Sequence, residues 1–420
     1  MILNILILLA GLVVYAGYGV TGLAYILAAT VLSYLAGRLI PKHRWVMWVT
    51  VGASVLALLA VKLQPLAGWE FTAPLGISYF TLQIISYTVD IYRGKYAPES
   101  NILTYGLYVT YLPHIFIGPI ESFPKFRGAV AGRRLPQWNA LTAGAARALW
   151  GLFKKLVIAS RAGVIVSAIS TDPDQFRGAY ALAAMLLYSV QLYADFSGGI
   201  DSVLGLSQML GISLSENFDA PYFAQSFQEF WRRWHITLGA WLREYVYIPL
   251  GGNRKGKFRK FLNSIATFLV SGLWHGANYL LWGLVNGIFV SFGTKFQTKW
   301  KTLNRACTFL LVSLLWSFFV WPDTLTALKM VGSVFTTFNY GEFFAAVGAM
   351  GLTCGDWIVL AAAVILLWLY DWKGSGIRER FAALCPAAQM AVICGLGLLV
   401  LVFGMYGIGF NASEFIYSRF

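Results

Sequence analysis

Hydrophobic positions dominate this chain from end to end, and polar residues interrupt them at intervals. Apolar runs close to the roughly 20 residues that cross a bilayer as a helix recur throughout. They predict spans over 2–18, 21–38, 46–64, 75–92, 102–120, 140–168, 179–206, 262–274, 275–294, 306–322, 355–371 and 388–409. That is about 10–12 crossings, some broken or re-entrant, in one domain over residues 1–420. The opening stretch lacks a basic start and a cleavage site, so it is expected to stay as the first span.

Two stretches depart from this pattern. Residues 228–256, "QEFWRRWHITLGAWLREYVYIPLGGNRKG", are too charged to span. On a helix, Trp231, Trp234, Leu238, Trp241, Leu242 and Tyr245 gather on one face and Arg232, Arg233, Arg243 and Glu244 on the other. One amphipathic helix is predicted, lying on the membrane surface or plugging a funnel mouth. Pro249 and Gly251–Gly252 end it, and His235 falls on the border of the two faces. Its arginines form either a solvated face or a contact for lipid headgroups or donor phosphates.

The second stretch is "SGLWHGANYLLWGLVNG", 271–287. Basic loops at 253–260 and 295–301 flank it, so the chain must enter the membrane and return. The turn is expected at "GLWHG", which puts His275 deep. Read as a helix, His275, Asn278, Tyr279, Trp282 and Asn286 share an arc of about 100°. Such a stripe either lines a wet passage or glues helices together. Two further polar intrusions complete the pattern. "YSVQLYADFSGGIDSVLG", 188–205, carries Asp195 and Asp201, and Asp195 either orients a histidine or pairs with an arginine of the amphipathic helix. "YLPHIFIGPIESFPKF", 111–126, breaks its span with Pro113 and Pro119 and holds His114.

Composition sharpens the class. The 420 residues are 58% hydrophobic and only 12% charged, against about 25% charged in soluble domains. The net charge of +14 would suit nucleic acid, but the basic residues cluster in short loops at 38–44, 127–134, 253–260, 295–301 and 373–380. The positive-inside rule accounts for them, so no nucleic-acid partner is expected and these loops mark the cytoplasmic side. The four cysteines show no metal-ligand spacing, and no metal is expected. There is no phosphate loop, dinucleotide fingerprint or serine elbow.

"ENFDAPYFAQSFQEFWRRWHITLGAWLREYVYIPLGGNR" followed by "SGLWHG" resembles the membrane-bound O-acyltransferase family. "PLGISYFTLQIISYTVDIYRG" at 74–94, "LPHIFIGPIESFPKF" at 112–126, "ADFSGGIDSVLGL" at 194–206 and the terminal "EFIYSRF" fit the same family, with the best match over about 70–300. The ending "YIPLGGNR" is similar to the branch that O-acetylates alginate, with the teichoic-acid D-alanyl transfer proteins as the rival in length. The resemblance implies an all-α polytopic membrane protein, a bundle of about 11 membrane helices around a central tunnel with interfacial and re-entrant helices. It implies an enzyme of the bacterial cytoplasmic membrane that moves an acyl group, acetyl first, from an acyl-CoA or acyl-carrier thioester to a hydroxyl of a cell-surface polysaccharide or of an extracytoplasmic partner acyltransferase. D-alanyl transfer to teichoic acid is the alternative, and a lipid or acyl-carrier transporter is the reading from another class. No bound cofactor is implied; the donor and membrane lipids are the expected contacts. His275 matches the family's "WHG" histidine and His235 its second histidine. His275 would serve as general base or as a transient acyl carrier. Asn278 or a backbone N–H would steady the oxyanion, with Tyr279, Trp282, Asn286 and Asp195 in support and Arg232, Arg233 and Arg243 toward the donor.

Overall fold

The computed structural model describes residues 2–69, 72–133, 137–292, 297–374 and 376–406. The terminal "EFIYSRF" lies outside them. The regular structure of the described residues is helical, apart from one isolated antiparallel bridge between Phe218 and Trp234. In chain order the helices are α1 (Ile2–Tyr18), α2 (Val20–Leu39), α3 (Trp45–Ala67), α4 (Ile77–Tyr92), α5 (Ile102–Thr110), α6 (Leu112–Phe116), α7 (Phe123–Ala131), α8 (Trp138–Phe153), α9 (Ser160–Ser170) and α10 (Ala179–Met209). There follow α11 (Phe227–Arg233), α12 (Ile236–Leu242), α13 (Gly256–His275), α14 (Leu280–Phe292), α15 (Lys301–Leu315), α16 (Ser317–Val320), α17 (Thr324–Thr336), α18 (Tyr340–Ala346), α19 (Cys354–Lys373), α20 (Gly376–Ala382) and α21 (Pro386–Phe403).

Among the described residues five stretches are long and apolar enough to cross a bilayer: Val20–Leu39, Trp45–Gln64, Lys301–Val320, Cys354–Lys373 and Pro386–Phe403. The expected spans at 2–18, 75–92, 179–206 and 262–274 each fall on one helix that does not meet that measure. The run at 102–120 does not continue as one helix. It stops at Tyr111, whose extended backbone precedes the Leu112–Pro113 start of α6, because a proline in a continuous helix would remove a donor and crowd the preceding turn, whereas it is tolerated in the first turn of a new one. His114 is buried there and hydrogen-bonds Gln83 at 3.1 Å.

The centre of the molecule is a rod against a long helix. The rod is α8, a π-helical turn at Lys154–Ala159 and α9; the long helix is α10. Glycines let the two backbones touch. A Cβ at Gly198 would lie 2.7 Å from the Gly151 carbonyl, and one at Gly144 would lie 2.7 Å from the Gly205 carbonyl. Small residues at such a contact are the usual solution where lipid removes the hydrophobic drive between helices. The π turn, a form often found at functional or strained positions, turns two successive lysines toward α10. Lys154 pairs with Asp201 and Lys155 with Asp195, each at 2.7 Å. Each carboxylate thus meets a cation where an isolated charge would be costly.

Contacts among loops define two faces. On one, Arg93 and Lys95 reach Glu244, Arg378 and Arg147 reach Glu216, and Gln297 reaches the Gln225 carbonyl. This basic face carries the loops the positive-inside rule assigns to the cytoplasm. On the opposite face the turn at 276–279 meets the start of α17 through Thr324 and the Asn278 carbonyl. There Gly178 also donates to Ser333, and Ala179 to Asn339.

Candidate active site

The hairpin forms as its flanking charges require. α13 rises from the basic face and ends on His275; Gly276, with φ of 148°, turns the chain through a short 3₁₀ stretch into α14. The legs pack closely, because a Cβ at Gly287 would lie 2.7 Å from the Ile265 Cα and one at Gly272 only 2.5 Å from the Tyr279 carbonyl. His275 therefore caps the ascending leg and is not the first residue of a descending stripe. The single stripe predicted for 275–286 is divided between two helices and a turn.

The amphipathic segment also differs from its expectation. It is two helices, broken at Trp234 and His235. His235 adopts the left-handed region, with φ of 46°, a conformation that costs a branched or bulky side chain free energy and clusters at functional sites. A neighbouring strand-like segment imposes the break. Asp219 donates its N–H to the Arg233 carbonyl, and Ile236 donates to the Asn217 carbonyl. The buried Asn217 side chain accepts from both the N–H and the hydroxyl of Thr237, at 3.0 and 2.9 Å, and lies 3.3 Å from His235 Nδ1. These bonds take up backbone groups that a continuous helix would have satisfied internally.

Between α11–α12 and the hairpin lies a cavity of about 540 Å³. Arg232, Arg243 and Lys260 stand at its basic-face end, and His235 and His275 both line it. Ser264, Thr267 and Ser271 line it as well. With His275 they recur every three or four residues, so they form one polar ladder along α13. The spacing of that ladder is legible in the sequence of the ascending leg, whereas the expected stripe lay on the descending one. Apolar walls come from Trp231, Trp316, Trp282 and Phe319. The two histidines share an indole neighbour: Trp274 is 6.1 Å from the His235 ring and 4.8 Å from the His275 ring, centroid to centroid.

The remaining predicted residues divide. Trp282 is fully buried, lines the cavity 5.6 Å from the His275 ring, and its indole N–H has no acceptor among the described residues. Tyr279 stacks on Phe319 at 4.4 Å, beside the site. Asn286 is buried but structural: it accepts from the Trp231 indole and donates to the Trp282 carbonyl. Asn278 is exposed on the far turn and does not line the cavity. Asp195 pairs with Lys155 of the π turn at 2.7 Å. Arg232 and Arg243 line the cavity, whereas Arg233 pairs with Glu229 at 2.8 Å and turns toward Asp219.

The same region of the chain is similar to known proteins. A family model described as membrane-bound O-acyltransferase matches residues 45–335, which contain both histidines and the whole cavity. A probable alginate O-acetylase, AlgI, of Pseudomonas fluorescens is 33% identical over 409 residues, 93% of this chain and 82% of that protein. The peptidoglycan O-acetyltransferase of Helicobacter pylori is 35% identical over 296 residues, 61% of this chain and 56% of that protein. The teichoic acid D-alanyltransferase of Streptococcus thermophilus is 27% identical over 246 residues, 55% and 59% of the two chains.

Proposed function

The chain belongs to the membrane-bound O-acyltransferase family, and from that premise we propose that it moves an acetyl group from a cytoplasmic thioester to a hydroxyl on the far side of the membrane. It is an acyltransferase. The observation that carries the finer reading is the single cavity with cations at one end, a polar ladder along its wall and two histidines beside it. From Lys260 to His275 the ladder spans about 22 Å at 1.5 Å per residue, a shape suited to an extended thioester arm whose phosphates stay at Arg232, Arg243 and Lys260.

The chemistry follows from placement. The acceptor hydroxyl gives its proton to His275 as its oxygen attacks the thioester carbonyl. The carbonyl oxygen gains negative charge in the tetrahedral intermediate. The buried indole N–H of Trp282 takes the oxyanion role that the sequence offered to Asn278, since it lines the cavity beside His275 and Asn278 does not. Collapse expels the thiolate, which recovers the proton from the imidazolium, and the ester leaves on the acceptor. His235, held in its strained turn, orients the donor end. The acceptor is a cell-surface polysaccharide or the hydroxyl of an extracytoplasmic partner that completes the transfer.

The test is donor consumption by the purified protein in nanodiscs, where both faces are open, with mannuronate and glycerol phosphate oligomers supplied as acceptors. Acetyl-CoA or an acetylated carrier protein should release free thiol, and a D-alanyl carrier thioester should not. Thiol release from the D-alanyl carrier alone would replace acetyl with D-alanyl, and release from none of the three would overturn the transfer reading.

A further inference from the structure

The cavity explains how a donor reaches His275 from the basic face. It leaves a second cluster, beyond Trp274, outside the donor path, because Trp274 does not line the cavity. Lys62 belongs to α3, which starts at the basic face with Arg44 packed over Tyr92. At 1.5 Å per residue Lys62 lies about 25 Å along that helix, and His275 about 28 Å along α13. The lysine is therefore near the level of the histidine, toward the far side. It is 8% exposed, and its ammonium lies 5.8 Å over the Trp274 ring.

Tyr79 meets the same indole. It is the third residue of α4 at that helix's far end, and its ring stands edge-on to Trp274 at 5.9 Å. Trp274 is itself fixed, since its N–H donates to the Ser78 carbonyl at 3.2 Å. The Tyr79 hydroxyl is buried and has no hydrogen-bond partner among the described residues. A buried hydroxyl left in this state calls for an explanation, and an ionisable side chain within a membrane helix marks a functional site by default. An ammonium, an unmet hydroxyl and an indole face together make a recognisable set. The ammonium and hydroxyl take an anionic oxygen, and the indole that both touch sets their positions.

We propose that Lys62 and Tyr79, arranged around Trp274, bind the acidic group of an anionic acceptor and so hold its neighbouring hydroxyl at His275. The acidic group is a carboxylate, as on a uronic acid, or a phosphodiester. This deepens the acyltransfer reading and rests on it for the second half of the statement only. Lys62 acts as a specificity-determining and positioning residue; the proton transfer stays with His275.

The experiment has two stages with the full-length protein in nanodiscs. The first reads equilibrium binding of fluorescent oligomers without donor: mannuronate, glycerol phosphate and neutral mannose of equal length. Wild type should bind one or both acidic oligomers more tightly than the neutral one. Lys62→Met should weaken the acidic oligomers roughly 10- to 100-fold, the loss expected for a charge-assisted hydrogen bond. Neutral binding should not move, Lys62→Arg should retain most of the preference, and Tyr79→Phe should give a smaller loss. Which acidic oligomer responds identifies carboxylate or phosphodiester. Equal binding of all three, or equal weakening of acidic and neutral oligomers by Lys62→Met while Lys62→Arg binds as wild type, overturns the proposal. The second stage reads thiol release from the donor. There Lys62→Met should raise KM for the acidic acceptor and leave KM for the donor unchanged. Binding preference without thiol release would instead count against acyl transfer alone.

Discussion

Arg232 and Arg233 are neighbours in sequence with opposite expected roles, and that contrast tests the donor site directly. Arg232 and Arg243 line the cavity and are exposed, whereas Arg233 is engaged by Glu229 at 2.8 Å. A hydrogen bond between an exposed guanidinium and a phosphate falls at the low end for charged partners, about 1–1.5 kcal/mol. Each of Arg232→Ala and Arg243→Ala should therefore raise the donor KM roughly 5- to 12-fold with kcat little changed. The double variant should approach the product of the two, about 25- to 150-fold, if the sites act separately. Arg233→Ala should stay within about 2-fold, since a surface i,i+4 pair contributes little. Thiol release against donor concentration measures all four proteins. Raising ionic strength from about 0.1 M to about 1 M shortens the screening length from about 10 Å to about 3 Å, so the gap between wild type and the two single variants should narrow. A raised KM for Arg233→Ala beside a normal one for Arg232→Ala would refute the assignment of the cavity mouth.

Other consequences are equally concrete. His275→Gln should lower turnover by about 10²–10⁴-fold, the contribution of a general base, while the protein inserts and purifies normally; retention of more than a tenth of wild-type turnover would move the chemistry elsewhere. Asn217→Ala removes the acceptor that holds the turn at His235, and should cost about 1–3 kcal/mol of stability together with turnover, read by thermal unfolding and thiol release. Gly198→Val forces α10 away from the Gly151 carbonyl and should lower the thermal midpoint in detergent, with overpacking worth about 1–3 kcal/mol or more. Cysteines at Gly256 and Thr298 should react with an impermeant thiol reagent only in opened cells if both face the cytoplasm; labelling in intact cells would reject that topology.

What could be read from the chain follows from the range of the forces involved. The hairpin was legible because basic flanks and closely spaced glycines act locally, and His275 fell at its turn as expected. The ladder Ser264–Thr267–Ser271 was equally local and needed only the ascending leg to be read. The break at His235 was not legible, since Asn217 imposes it from 18 residues away. On helical periodicity alone 228–245 is one amphipathic helix, and nothing in its own residues opposes that. The partners of Asp195 and Asp201 were hidden for the same reason. A π turn places Lys155 and Lys154 against them across separations of 40 and 47 residues, and no pattern within either helix announces the register.

The long-range contacts also explain how the two histidines are held in different ways. His275 is fixed by its own hairpin, through backbone contacts that glycines allow. His235 has no such local support and stands on a strained turn. Its anchor, Asn217, follows Glu216, which binds Arg147 of the central rod and Arg378 of α20 at the same time. Position is thus passed from the rod and the C-terminal helices, through one short segment, to the turn that carries His235. His275 is thus held by backbone contacts within its own hairpin, and His235 by contacts from segments distant in sequence.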